Sequence, residues 1–151
     1  MSENNTPTPT HIPDPAPQHI YEFILQETDL DTFGHMNHAN YLVVFEQARW
    51  DWLDKGGFGL SKIQEMQVGP TILDLEIQYR REIKHREKIK IHSWCPVYKG
   101  KIAKVIQKML NEKGEECARI SLTIALFDMK RRKLIAPIPE WLKAIGLPTA
   151  D

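Results

Sequence analysis

Apolar and polar positions alternate at the start of this chain, switch to a helical period, and then alternate again. Over residues 19–26, Tyr21, Phe23 and Leu25 fall on one side and Glu22 and Gln26 on the other, which predicts a strand. A polar stretch fills 27–37. Beyond it Tyr41, Val44, Phe45, Ala48 and Trp52 recur at helical spacing, and Leu42, Val43, Trp50 and Leu53 widen that stripe around most of the circumference. A helix apolar on so many sides has to be wrapped, not merely docked. Asn37 is placed to cap it, because a short side-chain acceptor satisfies the first free N–H groups, and Gly56-Gly57 closes it.

After a loop predicted over 58–69 the period returns to two. Leu73, Leu75, Ile77 and Tyr79 alternate with Asp74, Glu76, Gln78 and Arg80; Ile89, Ile91 and Ser93 alternate with Lys88, Lys90 and His92. A turn at Lys99-Gly100-Lys101 leads into 102–110, and one at Glu112-Lys113-Gly114 leads to Ala118, Ile120, Leu122, Ile124 and Leu126. Turns this short make antiparallel neighbours. Residues 137–145 read as a short helix with proline at its start, closed by Gly146. The order is strand, long helix, then about four antiparallel strands, an α+β arrangement. A flat sheet cannot enclose one helix, so the sheet must curl around it. Apolar residues on both faces of 102–110 leave material for contact with a second copy.

Composition narrows the class. The 151 residues make one domain of ordinary size, and the formal net charge of zero gives no global argument for nucleic acid or a membrane surface. No apolar run approaches the roughly 20 residues of a membrane span, and the start of the chain is polar and Pro-rich, unlike a secretory signal. Residues 1–18, with Pro7, Pro9, Pro13, Pro15 and Pro17, are expected to form a disordered tail ahead of a domain over 19–148. Cys95 and Cys117 have no metal-ligand spacing and are read as reduced thiols of a cytoplasmic protein.

Chemistry gathers at the mouth of the long helix. Asp29, Asp31, His35, Asn37, His38 and Asn40 crowd into a dozen positions. A carboxylate such as Asp31 can attack a carbonyl or activate water, and unpaired N–H groups at 38–40 can polarise that carbonyl. Gly34 lets the chain turn between the two. The competing reading makes Asp29 and Asp31 loop and capping residues. His35 suits loop orientation or proton shuttling better than metal binding, because no third ligand has a recognised spacing. Glu46 and Arg49 are expected to pair along the helix. Arg80, Arg81, Lys84, Arg86, Lys88 and Lys90 form either a solvated face or a dock for a substrate's phosphates, and no aromatic platform accompanies them as nucleic acid would require.

Asp29-Leu-Asp31-x-x-x-His35-x-Asn37-x-x-x-Tyr41, with Phe45-Glu-x-Ala-Arg-Trp-Asp-x-Leu53 and Ile77-Gln-Tyr-Arg-Arg81, resembles the hotdog-fold acyl-CoA thioesterases of the 4-hydroxybenzoyl-CoA thioesterase-like family, most of all its bacterial YbgC/FadM branch. The resemblance implies a curled antiparallel sheet of about five strands around one long central helix, and dimers or tetramers joined edge to edge. It implies that Asp31 attacks the thioester or activates water, and that the His38 N–H polarises the carbonyl. By the same resemblance His35 and Asn37 line the site, and coenzyme A phosphates would account for a basic surface without individual assignments; Gly34, Tyr41, Arg80 and Arg81 are taken as the candidate substrate contacts. Two positions depart from the family pattern. His38 replaces a second Asn, and Gly34 stands where a longer polar residue is common; both bear on specificity.

The expectation is therefore a cytoplasmic acyl-CoA thioesterase acting on a medium- or long-chain fatty or aromatic acyl group. It is expected to be a homodimer or homotetramer, with no cofactor, metal, nucleic acid or membrane. The rival readings are a non-catalytic acyl-thioester-binding protein and a hydroxyacyl-thioester dehydratase, which the fold alone does not separate.

Overall fold

A computed structural model describes residues 12–149. Its elements run β1 (His19–Ile24), α1 (His38–Lys55), α2 (Leu60–Met66), β2 (Val68–Tyr79), β3 (Lys88–Lys99), β4 (Ile102–Leu110), β5 (Glu116–Asp128), β6 (Lys133–Ile135) and α3 (Pro139–Ala144). The strands form one antiparallel sheet in the order β1-β3-β4-β5-β2, with β6 added to β5. The sheet curls around α1, as expected. It has six strands, because β6 continues the sheet beyond the end of β4 after a turn in which Asp128 accepts from the Lys130 and Arg131 N–H groups.

The helix obeys its local signals. Asn37 Oδ1 accepts from the Ala39 N–H at 2.9 Å, and Gly56 and then Gly57, at φ +86°, end the helix. Tyr41, Val44, Phe45, Ala48 and Trp52 are all buried against Ile89 and Ile91 of β3, Val105 and Met109 of β4, and Ile120 and Leu122 of β5. One polar cluster sits inside this core. Gln107 is fully buried; its Oε1 accepts from Arg49 Nη1 at 2.9 Å, and its Nε2 donates to Phe45 O and Ser93 Oγ. The expected Glu46–Arg49 pair does not form. Arg49 lies on the flank of α1 that turns inward, and burial pushes its pKa down, whereas Glu46 stays outside and accepts from Trp50 Nε1 at 3.3 Å.

Three further expectations are corrected. Residues 60–66 form a helix rather than a loop, although only Ile63 of it is buried. β2 begins at Val68, and a bulge between Ile72 and Asp74 breaks the simple alternation. β4 is an interior strand on which only Ile102 of the large apolar residues is exposed; other exposed ones lie on the edge strand β2 (Ile72, Leu73, Leu75, Tyr79), on α1 (Val43, Trp50) and on the opposite edge strand β1 (Ile20, Ile24).

Residues 1–11 of the Pro-rich tail lie outside the described residues. From Asp14 the chain crosses the outer face of the sheet. Asp14 bonds Arg119 at 2.5 Å and Lys108 at 3.2 Å, and both cations stand 5.7 Å from the ring of the buried Trp94. Gln18 then joins β3, donating its N–H to Ser93 O and accepting from the Cys95 N–H.

Candidate active site

The two acids before α1 have different duties. Both carboxylate oxygens of Asp29 are taken, one by the Gln26 N–H at 2.9 Å and the other by Asn40 Nδ2 at 2.8 Å, and its carbonyl accepts from the Asn37 N–H. Asp29 is a bracket between the loop and the helix. Asp31 is half committed. Its Oδ1 accepts from the Phe33 N–H at 2.9 Å and the His35 N–H at 3.1 Å, while Oδ2 has no hydrogen-bond partner among the described residues. The loop is closed by Asp31 N–H to His35 O, by the bridge between Leu30 and Met36, and by the buried Met36 side chain. Gly34 makes the tight return possible with φ +78°, a region other residues rarely adopt.

Across from this loop α1 begins. The Asn37 cap engages the Ala39 and Asn40 N–H groups, and the His38 N–H is left without a partner among the described residues. Such first-turn N–H groups carry the positive end of the helix dipole. The helix start is held by Tyr79 of β2, whose hydroxyl donates to His38 O at 2.8 Å and whose ring meets Tyr41 edge-on at 5.0 Å. Burial, with acidic neighbours adding to it, pushes the Tyr41 hydroxyl up to about 12, so it stays protonated across the working range. His35 Nε2 pairs with Glu82 Oε2 at 2.8 Å, tying the Asp31 loop to the segment after β2.

These groups line one open cleft of about 360 Å³. Asp31, His35, His38, Tyr41, Arg80 and Arg81 all reach it, whereas Gly34 and Asn37 act from behind by shaping the loop and capping the helix. Arg80 is paired with Glu116, and Arg81 with Glu115 at 3.1 Å, so neither is a bare cation. Arg81 and Glu82 also border a second hollow of about 640 Å³, with Lys84, His85, Arg86 and Lys113 on its walls. Sequence reasoning missed Tyr79 and Glu82 as site residues. Tyr79 read as an apolar strand position inside the Ile77–Arg81 match with no site role of its own, and Glu82 carries no local signal because its partner is distant in the chain. A larger hollow of about 720 Å³ on the outer face of β1 and β3 has none of the helix-mouth groups.

A curled sheet around a helix, with a carboxylate facing that helix's first turn, defines a class. Residues 25–146 match the model of the thioesterase-like superfamily, and the chain belongs to that family. It is a thioester hydrolase of the hotdog fold. It is 28% identical over 108 residues to the long-chain acyl-CoA thioesterase FadM of Escherichia coli (strain K12), covering 71% of this chain and 81% of that protein. It is 25% identical over 123 residues to the putative acyl-CoA thioesterase YneP of Bacillus subtilis (strain 168), covering 80% and 89%. The structure of a DHNA-CoA thioesterase from Staphylococcus aureus superposes with a TM-score of 0.74 at 27% identity, over 85% of this chain and 88% of that one.

Proposed function

We propose that this chain hydrolyses acyl-CoA thioesters in the Asp31 cleft. The observation that carries the reading is a carboxylate with one oxygen held and one free, set beside a helix start whose first N–H is unengaged. The names of the similar proteins support acyl-CoA as the substrate class. The His38 N–H would donate to the thioester oxygen as it gains charge, an effect of roughly a hundredfold or more where such donors have been removed. Asp31 Oδ2 serves in one of two ways. As a general base it takes a proton from water while hydroxide adds to the carbonyl carbon; as a nucleophile it forms a mixed anhydride that water then cleaves. Either way the C–S bond breaks and coenzyme A leaves as thiolate, a far better leaving group than an alkoxide and one that demands little acid assistance. His35, steadied by Glu82, relays protons beside the carbonyl. Arg80 and Arg81 at the cleft, each paired with a glutamate, are the cations we assign to the phosphates of the coenzyme, with Lys84, Arg86 and Lys113 of the neighbouring mixed-charge hollow within the same region.

The free edge of β2, flanked by Ile72, Leu73 and Leu75, is the place we assign to a second copy joined edge to edge. Sedimentation of the purified protein at twice the chain mass or more is the expected result. For the reaction, thiol release is followed colorimetrically across a panel of acyl-CoAs, with single-turnover labelling in oxygen-18 water. Label incorporated into Asp31 identifies the nucleophilic route with water attacking the aspartyl carbon, whereas label in the product acid alone fits both the base route and anhydride cleavage at the acyl carbon, which rapid-quench mass spectrometry separates by the presence or absence of an acyl adduct on Asp31. Absence of thiol release from every acyl-CoA overturns the assignment.

A further inference from the structure

Two residues outside the reacting pair set how far apart that pair stands. We propose that Tyr79 and Glu82, three residues apart where β2 ends, are positioning residues that together fix the Asp31 carboxylate relative to the His38 N–H. This rests on the acyl-CoA hydrolysis proposed above and deepens it.

The site has two halves, and the chain builds them separately. The loop tip is one. Asp31 N–H donates to His35 O, and Asp31 Oδ1 accepts from the Phe33 and His35 N–H groups, so residues 31–35 form a closed unit that carries its carboxylate with it. The Asp29 bracket and the Leu30–Met36 bridge hold the root of this unit. Its tip faces solvent, with Phe33 84% exposed. Among the described residues, the one side-chain hydrogen bond or ion pair that leaves the tip is His35 Nε2 to Glu82 Oε2 at 2.8 Å. The helix start is the other half. His38 is gripped at its carbonyl by the Tyr79 hydroxyl at 2.8 Å, while its N–H stays unengaged among the described residues.

Both ties end on one short stretch of chain, and that stretch is rigid. Tyr79 is paired with the fully buried Ala118 of β5. The Arg80 and Arg81 N–H groups both donate to Cys117 O, at 2.8 and 3.1 Å, and Ile83 is fully buried. Three residues of extended chain put the two anchor points about 10 Å apart. Neither residue has to touch the thioester, because each acts through the residue it holds. A carbonyl reacting between a carboxylate and an N–H donor is sensitive to their spacing, with a misplacement of about 1 Å costing up to about a hundredfold. A shared base leaves a signature that two independent supports would not. Once either tie is lost the spacing is free, and loss of the other adds little.

The test measures kcat and KM for thiol release, and Kd for a non-hydrolysable acyl-CoA thioether, in Tyr79→Phe, Glu82→Ala, the double variant and Glu82→Gln. Tyr79→Phe keeps the ring against Tyr41 and loses only the hydroxyl. Each single loss is expected to lower kcat about tenfold, with KM and Kd within about twofold and Tm within about 4 °C of the parent. The double variant should lie within about threefold of the more impaired single variant. Glu82→Gln, whose amide still bonds the His35 ring, should recover kcat to within about threefold of the parent. A double variant down about a hundredfold, the product of the singles, overturns the proposal, as does kcat unmoved in either single variant. Glu82→Gln as impaired as Glu82→Ala would make the Glu82 charge the working feature, and equally overturns it. All three outcomes leave hydrolysis intact. A parent protein that releases no thiol sinks the hydrolase reading instead, and the tie is then read from backbone amide order parameters. Those at Phe33 to His35 should fall in Glu82→Ala, and unchanged values overturn the proposal.

Discussion

Asp31→Asn isolates the chemistry from the fold. The substitution keeps an oxygen where Oδ1 accepts from the Phe33 and His35 N–H groups, and replaces the unpartnered Oδ2 by an amide nitrogen that is neither base nor nucleophile. Loss of a general base or nucleophile should reduce kcat by about 10²–10⁴-fold, or roughly 2.7–5.5 kcal/mol of transition-state stabilisation. Stability should move by less than about 0.5 kcal/mol, because the loop retains both acceptor contacts. Asp31→Ala provides the contrast. It removes the same two hydrogen bonds, and at a partly exposed site they are together worth about 1–2 kcal/mol, which lowers Tm by about 2–8 °C in a domain of this size. The assay is thiol release under saturating acyl-CoA, paired with thermal melting of both variants. Asn at position 31 with activity within about tenfold of the parent would refute the assignment of Asp31. Equal melting losses in the two variants would refute the division of labour between its oxygens.

Three other outcomes are expected. Asn37→Ala removes the cap of α1 and should cost about 1 kcal/mol in urea unfolding, with a larger fractional loss in kcat/KM if the His38 N–H is displaced. Burial pushes the thiols of Cys95 and Cys117 up to about 11, so both should resist a disulfide reagent in the native protein and react at once in guanidinium. Arg119, and with it Lys108, holds the Asp14 carboxyl below its ordinary value of 3.8. A depressed folded value means that the contact contributes fully above 3.8 and fades as the pH falls through the lower folded value. The protection factor of the Gln18 N–H, corrected for the intrinsic pH dependence of exchange, should therefore fall only on the acid side, and Asp14→Asn should show that lower protection at neutral pH.

What could be read from the sequence was what local chemistry decides. Asn37 and Gly56-Gly57 mark the ends of α1 because capping and termination act within a few residues. The turns at Gly100 and Gly114, with φ of +59° and +77°, likewise announce the β3-β4-β5 meander. α2 escaped notice because seven residues with one buried side chain leave no period to detect. The exposed face of β2 was misjudged for another reason: alternation shows which residues share a side, not whether a helix covers it. Arg49 chose Gln107, 58 positions away, over Glu46 on the next turn, since its flank of α1 turns into the core. In the site, the helix-mouth residues were found by their crowding, while Tyr79 and Glu82 arrive from 41 and 47 positions beyond their partners His38 and His35, where sequence proximity gives no hint.

The strand order sets a timetable for the chain as it is made. β3, β4 and β5 are joined by tight turns and can pair as soon as each is available, which keeps their loop-closure cost small. β1 is synthesised first, yet its partner is β3, so His19 waits for Ser93. Asp14 waits longer still, because Arg119 lies 105 residues downstream. On the ribosome, where domains are completed from the N-terminus at about 5–20 residues per second, β1 spends seconds as an unpaired edge before β3 is made. The segment across Trp94 closes only once the meander beneath it has been built.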